Sequence, residues 1–376
     1  MKIWIDGYEA NIPQRLGSGK VAFELLKNLE ILDRKNEYTV LIPSKRLDDL
    51  PLERLGWKYK ILKPKKLWTR LTLPLALFLA KQKPDIFLSP SHYLPRFSPA
   101  GVKKIVTIFD LSYLHFPNMF NRSDLWKLTK WSKFSISNAN HIVTISNFSK
   151  KDIIKQYLVS KEKITVSYPG YNSEIYKPVR DDEKIRLIAS KYGIEDSYII
   201  YIGTLQPRKN LIRLIEAIAR IDKLQLVIVG KSKGENRGGW MYDQILKKPA
   251  ELGIKERVVF TGFVPSMDLV YLLNGATAFV LVSLWEGFGI PVVEAMACGV
   301  PVVVSNVSSL PEVVGNAGLF VDPKSVDQIE QAIRVIVTDK KLKIRKSKQG
   351  LVQAKKFSWN KMAKKVLSIF DEVVVE

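Results

Sequence analysis

Two glutamates with seven residues between them bracket a glycine-rich turn, Glu286-Gly287-Phe288-Gly289-Ile290-Pro291-Val292-Val293-Glu294. The apolar run Ala278–Val282 reads as a strand leading into it. Pro291 suits the first turn of a helix, where a missing N–H costs nothing. The glycines then form a strand-to-helix turn, and free backbone N–H groups at the helix start favour a phosphate or hydroxyl oxygen. Gly287 and Gly289 allow a ligand close to the backbone. Both carboxylates could accept hydrogen bonds from polyol hydroxyls. Glu294, read as part of the first helical turn, could equally serve to complement the positive helix start.

A second segment, Gly203-Thr204-Leu205-Gln206-Pro207-Arg208-Lys209-Asn210, also follows a strand and opens a helix. Two adjacent cations do not suit a positive helix start. The conflict disappears if a diphosphate lies between them, gripped by Arg208 and met by the point charge of Lys209. Solvated surface cations are the alternative. A third segment, Leu16-Gly17-Ser18-Gly19-Lys20, ends the first strand-to-helix connection. Gln14 and Val21 stand where a Walker A loop needs Gly and Ser/Thr, and no third glycine completes a dinucleotide fingerprint. What is left is a tight turn whose backbone can approach a ligand. His92, His115 and His141 are scattered without ligand-like spacing and read as structural. With no Asp-x-Asp pair to hold Mg²⁺ against a diphosphate, no metal is expected, and Arg208 and Lys209 would supply that charge. No Gly-x-Ser-x-Gly or Cys/His dyad suggests a nucleophile.

These segments need a scaffold that repeats itself. A chain of 376 residues, 46% hydrophobic and 26% charged, is globular and long enough for two domains. Strands are expected at Lys2–Ile5, Tyr38–Ile42, Ile86–Leu88, Ile105–Phe109, His141–Ile145 and Ile164–Ser167, with helices between, among them Lys20–Leu32 and Ser123–Asn138. The breaker-rich stretch Tyr168–Asn172 and Lys177-Pro178 marks a linker. Strands then recur at Tyr198–Gly203, Leu224–Val229, Val258–Phe260, Ala278–Val282, Val302–Val304 and Leu319–Val321. The expected fold is α/β, two Rossmann-like doubly wound domains facing a central cleft, over 1–172 and 173–357, followed by a last helix over 358–376.

The lone Cys298, between Ala297 and Gly299, reads as a buried thiol and excludes an internal disulfide. The start, Met1-Lys2-Ile3-Trp4-Ile5, reads as a strand rather than a signal peptide. The most apolar stretch, Leu71–Ala80, is about half the roughly 20 residues of a membrane span, so a cytoplasmic protein is expected. The net charge is +22 and uneven: residues 1–170 hold 29 Lys and Arg against 14 Asp and Glu. Between Trp57 and Lys83 there are eight cations and no acid. Such a field attracts polyanions. Trp57, Tyr59 and Trp68 among these cations, with Trp126, Lys127, Lys130, Trp131 and Lys133 on a helix, suggest docking on an anionic membrane. No nucleic-acid module is recognisable, and none is expected as a partner.

The carboxylate pair, continued by Ala295-Met296-Ala297-Cys298-Gly299-Val300-Pro301, resembles the signature of retaining glycosyltransferase family 4. Pro207–Asn210 resembles that family's diphosphate-binding segment, and Thr144–Ser149, Tyr168-Pro169-Gly170 and Phe357-Ser358-Trp359 resemble its other landmarks, so the likeness runs nearly end to end. It implies the GT-B fold and sugar transfer from a nucleotide-sugar donor, with no cofactor: 1–172 would be the acceptor-binding domain, 173–357 the nucleotide-sugar-binding domain, and the helix 358–376 would cross back to the first. Glu294 would hold the donor ribose and Glu286 the transferred sugar. Backbone amides of Phe288, Gly289 and Ile290 would face sugar hydroxyls and phosphate, with Gly17, Gly203 and Val264 also on the donor. Arg208 and Lys209 would stabilise the leaving diphosphate, and front-face displacement would retain configuration. Residues 108–117 resemble a mannosyltransferase subgroup, which implies GDP-mannose and a catalytic part for Asp110. Many members have His-Asp there; this chain has Phe109-Asp110, and His115 is too far along to stand in. The acceptor would be a glycan or lipid-linked glycan, the setting polysaccharide biosynthesis. A nucleotide-sugar epimerase, a non-enzymatic polyanion binder and an inactive scaffold are the other readings.

Overall fold

The computed structural model describes residues 1–230 and 242–375. The chain divides into two compact units, Met1–Gly170 with Ser358–Glu376, and Tyr171–Phe357. The first holds strands β1 (Lys2–Asp6), β2 (Glu37–Ile42), β3 (Trp57–Ile61), β4 (Ile86–Ser89), β5 (Lys103–Ile108), β6 (His141–Thr144) and β7 (Ile164–Val166). They form one sheet in the order β3-β2-β1-β4-β5-β6-β7, parallel throughout. Strand side chains alternate between faces. Ile3, Ile5, Val40 and Ile42 therefore join one apolar layer, with Leu25, Leu26 and Leu29 of the helix Ser18–Leu32. Trp4 and Leu41 join the other, with Leu73, Leu77, Ile136 and Ile153. Burial on both faces is why these strands read as unbroken apolar runs.

β3 is the strand the apolar-run pattern does not predict. Its sequence, Trp57-Lys58-Tyr59-Lys60-Ile61, looks like part of the basic segment. It lies at the sheet edge, with Trp57 1% exposed and Lys58 and Lys60 in solvent. Edge lysines of this kind discourage pairing with another chain. Trp57 packs on Tyr38 at 4.9 Å between ring centroids, Tyr59 is half-buried and donates its hydroxyl to the Pro51 carbonyl, and Trp68 is 7% exposed. Two of the three aromatics expected to face a membrane from this segment are thus core residues.

The second unit holds β8 (Tyr198–Ile202), β9 (Gln225–Val229), β10 (Val258–Gly262), β11 (Ala278–Leu281), β12 (Val302–Ser305) and β13 (Gly318–Val321), ordered β10-β9-β8-β11-β12-β13 and again all parallel. All six were expected. Leu211, Leu214, Ile215 and Ile218 form the buried stripe of the helix Leu211–Ala219, as their spacing predicts. In each sheet the chain walks outward for three strands and then starts again on the other side of the first. The order reverses at β1/β4 in one sheet and at β8/β11 in the other. Crevices outside the carboxyl ends of strands at such reversals are where open α/β sheets take their ligands.

The helix Trp359–Val375 belongs with the first unit. Ala363, Val366, Ile369, Phe370 and Val373 complete the apolar layer around Leu25 and Leu29. A Cβ on Gly170 would lie 2.1 Å from the Trp359 backbone nitrogen, so only glycine lets the outgoing chain pass the returning one.

Candidate active site

Arg208 and Lys209 follow β8, and Glu286 follows β11, the two strands that flank the reversal in the second sheet. They meet there. Lys209 Nζ lies 2.5 Å from Glu286 Oε1, and Arg208 Nη1 lies 3.6 Å from Oε2. Ser283 Oγ donates to Oε1 at 2.7 Å, and the Arg208 guanidinium donates to the Trp285 carbonyl. Glu286 is 6% exposed. Burial alone would raise its pKa; the charges of Lys209 and Arg208 override that and hold it below the ordinary value. The carboxylate is therefore ionised, and one negative charge is shared by two cations.

The two cations do not lie on the α-helix. They form a separate 3-10 turn, Pro207–Lys209, ended by Asn210 at φ 62° before the helix begins at Leu211. The turn runs directly into the N-cap of that helix, Asn210, so the segment does open a helix, and Glu286 offsets the cations ahead of it. Asn210, 4% exposed, fixes the turn by donating to the carbonyls of Val282 (2.9 Å) and Pro323 (2.6 Å), beyond β11 and β13. Glu286 is held in turn through its backbone, its N–H donating to Ser308 Oγ (3.0 Å) and its carbonyl accepting from Ser309 Oγ (2.9 Å). Ser283, Ser308, Ser309 and the role of Asn210 were not legible in the sequence, since common polar residues in loops carry no distinguishing pattern.

Glycines bring the backbones of this edge together. A Cβ on Gly230 would fall 1.9 Å from the Gly203 carbonyl oxygen, and one on Gly203 would meet the Tyr201 hydroxyl at 2.6 Å. Gly203 N–H donates to Val229 O, and Gly230 N–H to Gly262 O. Gly289, at φ 96°, precedes the helix Ile290–Ala297, with Pro291 in its first turn and no side-chain cap. The N–H groups at the start of this helix are thus not taken by a capping side chain. Phe288 is 2% exposed, its ring edge-on to Phe357 at 5.3 Å. Val264 is 4% exposed beyond β10.

Glu294 is the fifth residue of its helix, not part of the first turn, and is 3% exposed. Complementing the helix start is therefore not its role. Its carboxylate hydrogen-bonds with Tyr176, whose hydroxyl burial and the Glu294 charge keep protonated. Cys298 is buried, and burial followed by the same charge pushes its thiol up to about 12.

Gly17 and Asp110 belong to the first unit. Gly17, at φ 51°, precedes the helix Ser18–Leu32, and a Cβ there would meet nothing within 4 Å, so the backbone and not packing calls for glycine. Asp110 follows β5 and accepts from Ser112 N–H at 2.8 Å. Phe109, 8% exposed, packs on the His92 ring at 5.4 Å. Burial lowers the His92 pKa against the raising effect of Asp110. His115 pairs with Asp152 at 3.0 Å, and His141 Nε2 lies 2.9 Å from Thr165 Oγ1. Among the described residues, no three His, Cys, Asp or Glu side chains are grouped to hold a metal ion.

Comparison with known proteins supplies the family. The model described as Glycosyltransferase Family 4 matches residues 17–175, and that described as Glycosyl transferases group 1 matches 185–369. O-antigen chain mannosyltransferase B of Escherichia coli is 31% identical over 94% of this chain and 95% of its own. Among solved structures, sucrose-phosphate synthase from Thermosynechococcus elongatus superposes with a TM-score of 0.80 at 19% identity, covering 100% of this chain and 99% of that one. HepE of Anabaena, solved with UDP-glucose, gives 0.77 at 17%, covering 99% and 100%. At those identities the structures speak for the fold, and the full-length relative and the two family models speak for the lineage: the chain belongs to glycosyltransferase family 4, with the GT-B pair of parallel α/β units.

Proposed function

We propose that this glycosyltransferase moves mannose from GDP-mannose to a glycan or lipid-linked glycan, with retention of configuration and without a metal. The observation that carries the reading is the Arg208–Lys209–Glu286 cluster at the β8/β11 reversal, two adjacent cations sharing one buried carboxylate where a diphosphate is expected. Mannose is supported by the full-length relative named as a mannosyltransferase. In the reaction, the bond from the anomeric carbon to the diphosphate oxygen breaks, and a bond to the acceptor oxygen forms on the same face. The acceptor proton passes to the departing phosphate oxygen. Arg208 and Lys209 stabilise the charge that develops on the diphosphate, and Glu286 and Glu294 hold sugar and ribose hydroxyls. Donor binding is also assigned to Gly17, and a catalytic part to Asp110. The basic first unit faces an anionic membrane surface on the cytoplasmic side.

The test is donor hydrolysis and thermal shift with GDP-mannose, UDP-glucose and UDP-N-acetylglucosamine, in chelator and without acceptor. Stabilisation and slow hydrolysis with GDP-mannose is the expected result. Epimerised donor in place of free sugar would make the protein an epimerase. Arg208→Ala should lower turnover at least ~100-fold, as removal of one partner of a developing charge does; turnover near that of the parent protein would end the proposed role.

A further inference from the structure

The segment Leu67–Leu79 is apolar on opposite sides. Its helical turns, Trp68–Thr72 and Leu73–Phe78, bury Trp68, Leu73, Ala76 and Leu77 in the core of the first unit. The Trp68 indole donates to Asp6 at 2.9 Å, which locks that side inward. The other side carries Leu67, Leu71, Leu75, Phe78 and Leu79, which are 61, 41, 47, 51 and 78% exposed. A recurrence at every third or fourth position places them in one stripe along the helix. Helices apolar all round are normally buried all round, so this outer stripe lacks its partner. Trp126, 51% exposed, adjoins it through Arg70, whose guanidinium lies 5.6 Å from the Trp126 ring and 4.4 Å from that of Trp131.

The surroundings choose the partner. Exposed Lys63, Lys65 and Lys66 precede the stripe, exposed Lys81 and Lys83 follow it, and no acid interrupts the stretch from Trp57 to Lys83. A second copy of this chain would bring cations against cations. An anionic lipid surface satisfies both features at once: leucines enter the acyl boundary and lysines stay among the phosphates. We propose that Leu67–Leu79 is an in-plane membrane-docking element. This rests on the reading of the first unit as facing an anionic surface, and it names the element and the side chains responsible. They are not Trp57 and Trp68, which the fold holds inside.

Vesicle flotation tests it, using phosphatidylcholine alone and an equal mixture with phosphatidylglycerol, without nucleotide. The parent protein is expected on the mixed vesicles only. Leu71→Ser/Leu75→Ser/Phe78→Ser should bind them about tenfold more weakly with unchanged thermal unfolding, because loss of buried apolar area weakens interfacial binding. A Leu75→Cys protein carrying a polarity-sensitive dye should report an apolar environment on binding; Cys298 is 4% exposed and will not compete for the label. If the parent binds while the dye stays in water, the docking element is wrong and the anionic-surface reading stands. No preference for mixed vesicles by the parent removes that reading itself. A parent dimer in sedimentation that the triple variant dissociates would give the stripe to a second copy and overturn the lipid assignment.

Discussion

Glu286 sits buried between two cations, and what it does for the protein depends on whether something else can take its place. Replacing it with glutamine removes the carboxylate charge that both Arg208 and Lys209 share. Loss of one member of a buried ion pair costs on the order of 3 kcal/mol, so Glu286→Gln should unfold at markedly lower denaturant. A nucleoside diphosphate supplies the missing charge. Its thermal stabilisation of Glu286→Gln should therefore equal or exceed that of the parent, while transfer is impaired; weaker stabilisation would contradict a shared cation pair. The pH dependence follows from a pKa lowered in the folded state. The stabilisation is present above the ordinary value of 4.5 and is lost as pH falls through the lower folded value, so the gap between parent and variant should narrow in acid. The identities of these residues were legible, because cations ahead of a helix and a glycine-proline turn are local patterns. Their contact was not, since Lys209 and Glu286 are 77 positions apart and only the β8/β11 adjacency joins them.

At the scale of elements, the edge of the second sheet is assembled by close backbone passage. Gly230→Ala would place a methyl 1.9 Å from the Gly203 carbonyl oxygen, so the ends of β8 and β9 must separate. Overpacking of this kind typically costs about 1–3 kcal/mol. The Pro207–Lys209 turn lies just beyond, so donor affinity should fall along with stability; intact donor binding in calorimetry would show that the turn is positioned independently of β9. Strands of the second unit were readable because burial on both faces demands consecutive apolar residues. β3 was not, because one face of an edge strand is wet and its lysines masked the pattern. The stretch Leu71–Ala80 was legible as too short for a span, but only its helical geometry separates the residues that enter the core from those that face outward.

At the scale of the molecule, the first unit is built from both ends of the sequence. Ending the chain after Phe357 would strip Val366, Ile369, Phe370 and Val373 from the layer that covers Leu25 and Leu29. At about 1.5–3 kcal/mol each, the four side chains together are worth about 6–12 kcal/mol, comparable to the whole of the roughly 5–15 kcal/mol that stabilises a domain. Limited proteolysis of such a truncation should digest residues 1–170 while 171–357 persists; equal resistance of both would show that the final helix is dispensable. The same arrangement orders events during synthesis. Domains usually fold as they emerge, the earlier one first. Here the first unit leaves the ribosome with one wall of its core missing, and that wall is made only after all of residues 171–357. The part translated first waits for side chains translated after residue 357, and until then its apolar interior is open to whatever in the cell will shelter it.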